Sequence, residues 1–177
     1  MIMGDIQQMT VKSLPGYRII DMHTNQSEAM IEKVVDLWRR NMILPAGTDL
    51  YQRATQVVTA ALSHDGNVVG VVTVYEQTLT VPLKLAGKHV YIYRQFTQRQ
   101  DQRFDVMHSL SDEAVKLLDG APGIDGLLVK TENRKMMRKG FRRYFSRRGF
   151  ELIDAPRISE DVWFRDYSRL DQKPRPA

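Results

Sequence analysis

Residues 127–153 read LLVKTENRKMMRKGFRRYFSRRGFELI. The apolar opening belongs to a short buried strand over 124–129, and Thr131 or Asn133 carries the side-chain oxygen that accepts from the open N–H groups of a helix start. Met137, Phe141, Tyr144 and Phe145 then fall on one helical stripe. Gly149 suits the left-handed turn that ends many helices, and Phe150 to Ile153 reads as the next strand.

The same stretch concentrates the positive charge. Arg134, Lys135, Arg138, Lys139, Arg142, Arg143, Arg147 and Arg148 follow one another with no acid among them. With these eight set aside from the 26 basic residues, 18 remain against 21 acids, so a chain of net charge +5 is net −3 outside this segment. Spacing of i, i+4 at 134, 138, 142 and at 135, 139, 143 lays the cations in two adjacent stripes, where like charges repel. One reading is a solvated helix face. The other is an anionic partner, a nucleic-acid backbone or an acidic protein surface, met through Arg134, Arg138 and Arg142. No aromatic is interleaved at exposed spacing, so base stacking on a single strand is not indicated.

Working toward the N-terminus, Phe104, Met107, Leu110, Ala114, Leu117 and Leu118 mark a helix over 104–118, ended by Asp119-Gly120. His89 to Thr97 alternates as a strand. VVTAALS at 57–63, the turn His64-Asp65-Gly66-Asn67 and VVGVVTVYEQ at 68–77 form an antiparallel hairpin pattern. Ser27 caps a helix through Met30, Val34, Leu37 and Trp38, Thr48-Asp49 starts a shorter one, and Tyr17 to Met22 suits a first strand. Asp161 to Tyr167 gives a last strand. Residues 1–14 show no sustained period and read as an N-terminal extension, 15–168 as one domain, and 169–177, rich in proline near the end, as a flexible tail. The order β-α-α-β-β-β-α-β-α-β-β predicts an α+β fold, a mixed central sheet with helices on both faces.

Composition narrows the chemistry. With 42% hydrophobic and 27% charged residues the chain has the make-up of a globular protein, and zero cysteines exclude thiolate nucleophiles, disulfides and cysteine-bound metal. His23, His64, His89 and His108 have no metal spacing. No apolar run approaches the length of a membrane helix and no signal-peptide pattern opens the chain, which predicts a soluble, cytoplasmic protein without a membrane partner.

From about Tyr17 to Tyr167 this order resembles the GNAT superfamily of acyl-CoA-dependent N-acyltransferases, most specifically in the quoted stretch, where Val129 is followed four residues later by Asn133 and Gly149-Phe150 opens a strand. The resemblance implies acetyl-CoA as acyl donor, an amine acceptor that attacks it directly, and parallel strands gripping the pantetheine arm. Phe96, Thr97 and Gln98 would stand at the strand end, Arg99, Gln102 and Arg103 at the phosphates, and Asn133 near the thioester.

Departures from the pattern matter equally. In GNAT enzymes the loop before the third helix runs Arg or Gln, two residues, Gly, one residue, Gly or Ala, and its glycines let backbone N–H groups approach the pyrophosphate. Here Asp101 and Arg103 fill those positions if Gln98 leads, so either Asp101 turns away or the cradle is lost, with Arg99 and Arg103 substituting side-chain charge. The tyrosine that protonates the departing thiolate is displaced. Seven residues after Asn133 stands Gly140 and four before Gly149 stands Phe145, leaving Tyr144 as the candidate acid or as a packed aromatic. Glu76, at the end of a strand, is the candidate general base, or merely solvated. The alternative function is a GNAT-like binding or structural module, of the kind a phage or mobile element encodes, that has lost catalysis and meets a nucleic acid or acidic protein through 134–148.

Overall fold

The computed structural model describes residues 9–131, 139–157 and 160–172. Packing divides the chain into two units, residues 1–74 with 95–118, and residues 75–94 with 119–177. The strands, β1 (Thr10–Leu14), β2 (Tyr17–Asp21), β3 (Val57–Ser63), β4 (Val68–Thr78), β5 (His89–Thr97), β6 (Gly126–Thr131), β7 (Glu151–Arg157) and β8 (Glu160–Asp166), form one mixed sheet in the order β1-β2-β3-β4-β5-β6-β8-β7. The helices are α1 (Glu28–Asn41), α2 (Leu50–Ala54), α3 (Phe104–Leu118) and α4 (Lys139–Arg147).

In the first unit β3 is buried along nearly its whole length because helices cover both its faces. Ala60 and Leu62 pack with Met30, Val34, Leu37 and Trp38 of α1. On the opposite face the Thr59 hydroxyl donates to the Leu110 carbonyl of α3 at 3.1 Å. Alternation along the strand therefore sorts its side chains between two helices. Ser27 accepts from the Met30 N–H at 3.3 Å and Asp49 from the Gln52 N–H at 3.0 Å, so α1 and α2 start at the caps the sequence offers. Gly70 on β4 is bare for a reason of space: a Cβ there would stand 3.0 Å from both Leu110 Cδ1 and Thr97 Oγ1.

The N-terminal segment is a correction to the sequence reading. Residues 10–14 are a strand, joined to β2 through Pro15-Gly16 with Gly16 at φ 80°, and Leu14 pairs with Tyr17. Its alternation is inverted: Val11 is exposed while Lys12 is half-buried, so no apolar period exists to be read. The ladder also slips between Thr10 and Lys12. At the other end of the sheet β7 carries Pro156 and two register shifts against β8.

In the second unit β5 and β6 run parallel, Val90–Tyr93 against Gly126–Val129, and the ladder ends there although β6 continues to Thr131 beside β8. Leu79, Leu85, Val90, Ile92, Leu128, Val162 and Phe164 form the apolar cluster. Phe145 of α4 is buried, stacked on Trp163 at 5.2 Å and edge-on to Phe150 at 5.5 Å. Thr131 closes β6 and gives its hydroxyl to the Asp161 carbonyl. Asn133, the other expected cap, lies outside the described residues. Residues 169–172, expected as part of a flexible tail, belong to a short 3₁₀ helix, Tyr167–Gln172, and the rest of that expected tail lies outside the described residues. Among the described residues no helix is long and apolar enough to cross a membrane.

Gly126 is the tightest point. An added Cβ would lie 2.3 Å from the Arg165 carbonyl oxygen and 2.6 Å from the Phe164 ring, both part of the neighbouring strand. Gly126→Ala should therefore lower unfolding free energy by about 3 kcal/mol, the upper part of the range for overpacking, in a urea titration.

Candidate functional site

Between β5 and α3 the chain makes a tight polar turn. Gln98 is extended, its N–H on the Val69 carbonyl at 2.9 Å, and Arg99–Asp101 is a 3₁₀ turn. The N–H of Asp101 bonds the Gln98 carbonyl at 3.0 Å and that of Arg103 bonds the Asp101 carbonyl at 2.7 Å, while the Gln102 side chain donates to the Thr97 carbonyl at 3.1 Å. Met42 is the only non-glycine residue with positive φ among those described, so the loop runs without the left-handed backbone that glycines would permit. The amides of Asp101 and Arg103 are turned onto the loop's own carbonyls.

Asp101 does turn away. It is buried at 8% exposure, accepts the Tyr17 hydroxyl at 2.8 Å and accepts from the Gln98 amide. The hydrogen bond to Asp101, then burial and the Asp101 charge, hold the Tyr17 phenol above its usual value. Arg103 is exposed but engaged, with Nη2 2.7 Å from Asp105 Oδ2, Nε 3.2 Å from Oδ1, and the guanidinium 5.3 Å from the centre of the Tyr17 ring. Arg99 is exposed and has no ion partner among the described residues. Gln102 is exposed, whereas the side chains of Phe96 and Thr97 face inward, Phe96 against the α1 cluster and Thr97 buried. Sequence reasoning brought Gln98, Arg99, Gln102 and Arg103 to one turn. It missed Tyr17, which carries no local signal across 84 residues, and Asp105, which the i, i+2 spacing from Arg103 offered.

Glu76 belongs to the second unit. Its Oε2 lies 3.3 Å from Nε2 of His89, whose Nδ1 is 3.1 Å from the Thr78 hydroxyl, so the exposed carboxylate has an imidazole partner the sequence reading left without a site. Burial first, and the Glu76 charge second, raise the Tyr91 phenol above its usual value. Tyr144 is half-exposed, with the Arg148 guanidinium 3.5 Å from its ring centre; Phe145 takes the core position. Among the described residues no three His, Cys, Asp or Glu side chains gather as metal ligands.

Arg142 corrects the picture of a solvated cationic stripe. It grips Asp161 with Nε–Oδ2 at 2.9 Å and Nη2–Oδ1 at 2.8 Å, and the Asp161 side chain has no exposure at all. A buried carboxylate needs a counter-charge at fork geometry, so one arginine of the run is structural. Arg143 and Arg147 are exposed; Arg134 and Arg138 lie outside the described residues.

No family model and no curated protein matches this sequence. Solved structures do resemble it. The structure of Arabidopsis thaliana NAA60 in complex with a bisubstrate analogue has a TM-score of 0.59 at 12% identity, covering 85% of this chain and 98% of that one. A GNAT-family acetyltransferase from Listeria monocytogenes has a TM-score of 0.56 at 13% identity, covering 88% and 98%. A mutant AtaT toxin bound to the C-terminus of the antitoxin AtaR has a TM-score of 0.55 at 16% identity, covering 89% and 97%. The chain has the GNAT fold.

Two measurements check this geometry. Arg142→Met should lower the melting temperature markedly, by leaving Asp161 buried without its cation, while Arg143→Met at an exposed position should leave it nearly unchanged. The hydrogen bond from Arg103 holds the Asp105 carboxyl below its usual 3.8, assisted by the Val106 N–H and opposed by desolvation. A depressed value means stability present above the unfolded pKa and lost as pH falls through the folded one. An NMR titration should place Asp105 below 3.8 and Arg103→Met should bring it back up.

Proposed function

We propose that the chain is an N-acyltransferase that takes an acyl group from acetyl-CoA and passes it to an amine by direct attack. The observation that carries this reading is the parallel β5–β6 ladder, which stops at Tyr93–Val129 while β6 runs on to Thr131. Strands that part after a short parallel ladder turn main-chain groups toward an extended amide-containing arm, the way a pantetheine is held. Fold neighbours solved with acetyl-CoA and with a bisubstrate analogue, both of Arabidopsis thaliana NAA60, support the same donor.

The loop fits the phosphates through side chains rather than amides. Exposed Arg99 and Gln102 offer donors directly, and Arg103 offers its guanidinium by exchanging Asp105 for a phosphate of higher charge. Phe96, Thr97 and Gln98 contribute the strand end, and Asn133 stands nearer the reacting end in this reading. Acetyl-CoA supplies an acyl carbon activated as a thioester. Glu76, with His89 as its partner, takes the proton that the attacking amine loses, directly or through water, and Tyr144 returns one to the thiolate as the C–S bond breaks. Cytoplasmic residence accompanies this reading.

A second reading has its own observation. The amides of Asp101 and Arg103 are closed within the loop, and Arg143 and Arg147 are exposed, as suits a GNAT-fold module without catalysis that meets an anionic partner through 134–148. Titration with acetyl-CoA separates the two. At 100 times its Kd the donor should add about 2.7 kcal/mol of stability, a rise of several degrees in melting temperature for a domain this size. No rise at millimolar acetyl-CoA, with salt-sensitive binding to duplex DNA instead, would replace the first reading by the second.

A further inference from the structure

Asp101 occupies a position where a negative charge opposes the ligand proposed for its own loop. Its backbone has no left-handed conformation to explain a special residue, and its N–H is bonded within the turn. What distinguishes it is where its side chain goes: inward, at 8% exposure, to the hydroxyl of Tyr17 at 2.8 Å and to the Gln98 amide. Tyr17 comes from the start of β2, fixed there by the hairpin turn that pairs it with Leu14. Its ring also lies under Arg103, whose guanidinium is 5.3 Å from the ring centre and paired with Asp105. One side chain from a distant hairpin thus meets both residues that stand where the resembling pattern has small ones.

We infer that Tyr17 is a positioning residue for the phosphate-receiving loop, its hydroxyl holding the Asp101 carboxylate inward so that residues 98–103 present Arg99 without a competing negative charge. The inference rests on the acetyl-CoA reading above and deepens it. Tyr17 touches no reacting atom; it acts through Asp101. Loss of the hydroxyl leaves a carboxylate with one fewer donor in a partly buried place, and rotation toward water carries it toward the phosphates.

The test uses the full chain and coenzyme A as probe, by isothermal titration of the wild type, Tyr17→Phe, and Tyr17→Phe combined with Asp101→Asn, each checked by circular dichroism at the titration temperature. Tyr17→Phe keeps the ring beneath Arg103 and should weaken binding about tenfold, with the loss larger at low salt. Adding Asp101→Asn should return affinity to within about twofold of wild type, because the charge and not the shape does the harm. A merely structural tyrosine would not show that rescue. Tyr17→Phe binding as the wild type does, weakened binding that Asp101→Asn fails to restore, or an unfolded Tyr17→Phe chain each overturns the inference. Wild-type chain that binds no coenzyme A overturns the acetyl-CoA reading and this inference together, whereas wild-type binding with an unaffected variant overturns this one alone.

Discussion

A carboxylate shut away from water must be neutralised where it lies, and in the second unit that requirement falls on Asp161. Its side chain has no exposure, and the forked guanidinium of Arg142 answers both oxygens. Around this pair the neighbouring elements take their places. The Asp161 carbonyl receives the Thr131 hydroxyl at the end of β6, Asp161 itself pairs with Thr131 in the β6–β8 ladder, and α4, which carries Arg142, sets Phe145 on Trp163. A buried arginine, Arg165, joins Asp119 with 2.6 and 2.8 Å contacts and bonds the Arg148 carbonyl, tying the end of α4 to β8. Cation excess in the segment is in part a demand of the fold.

The same logic orders the loop of the first unit. Two carboxylates stand near the start of α3, and each has its own partner: Asp101 the Tyr17 hydroxyl and the Gln98 amide, Asp105 the Arg103 guanidinium. A helix start favours negative charge, so Asp105 is well placed electrostatically even without a ligand. What the loop gives up is backbone openness; what it retains at the surface are the side chains of Arg99, Gln102 and Arg103.

Where a single period governed a segment, the sequence was sufficient. β5 and α3 span the expected residues, 89–97 and 104–118, and the 64–67 turn closes as expected, with Gly66 at φ 73°; the stripe of α3 is corrected at Phe104, which is exposed, while Val106 and Val115 are buried. β1 was illegible because Val11 points out and Lys12 partly in, against the usual sense. β6 begins at Gly126 rather than residue 124 since its limits are set by pairing with Asp166, which no local signal encodes. The site divides likewise. The loop residues were readable as a group from the family pattern, but the partners that fix Asp101, Glu76 and Arg142 are Tyr17, His89 and Asp161, all brought in by tertiary pairing.

The two ends of the sheet are irregular, β1 by a slipped register beside Lys12 and β7 by Pro156, which has no N–H to give, and by its own slips. An outer strand with a straight, complete row of donors and acceptors is a template on which a second copy of a chain can grow. Here neither border offers one. A second copy laid along either outer strand of the eight-stranded sheet would meet a ladder broken by a slip or a missing donor rather than one it can extend.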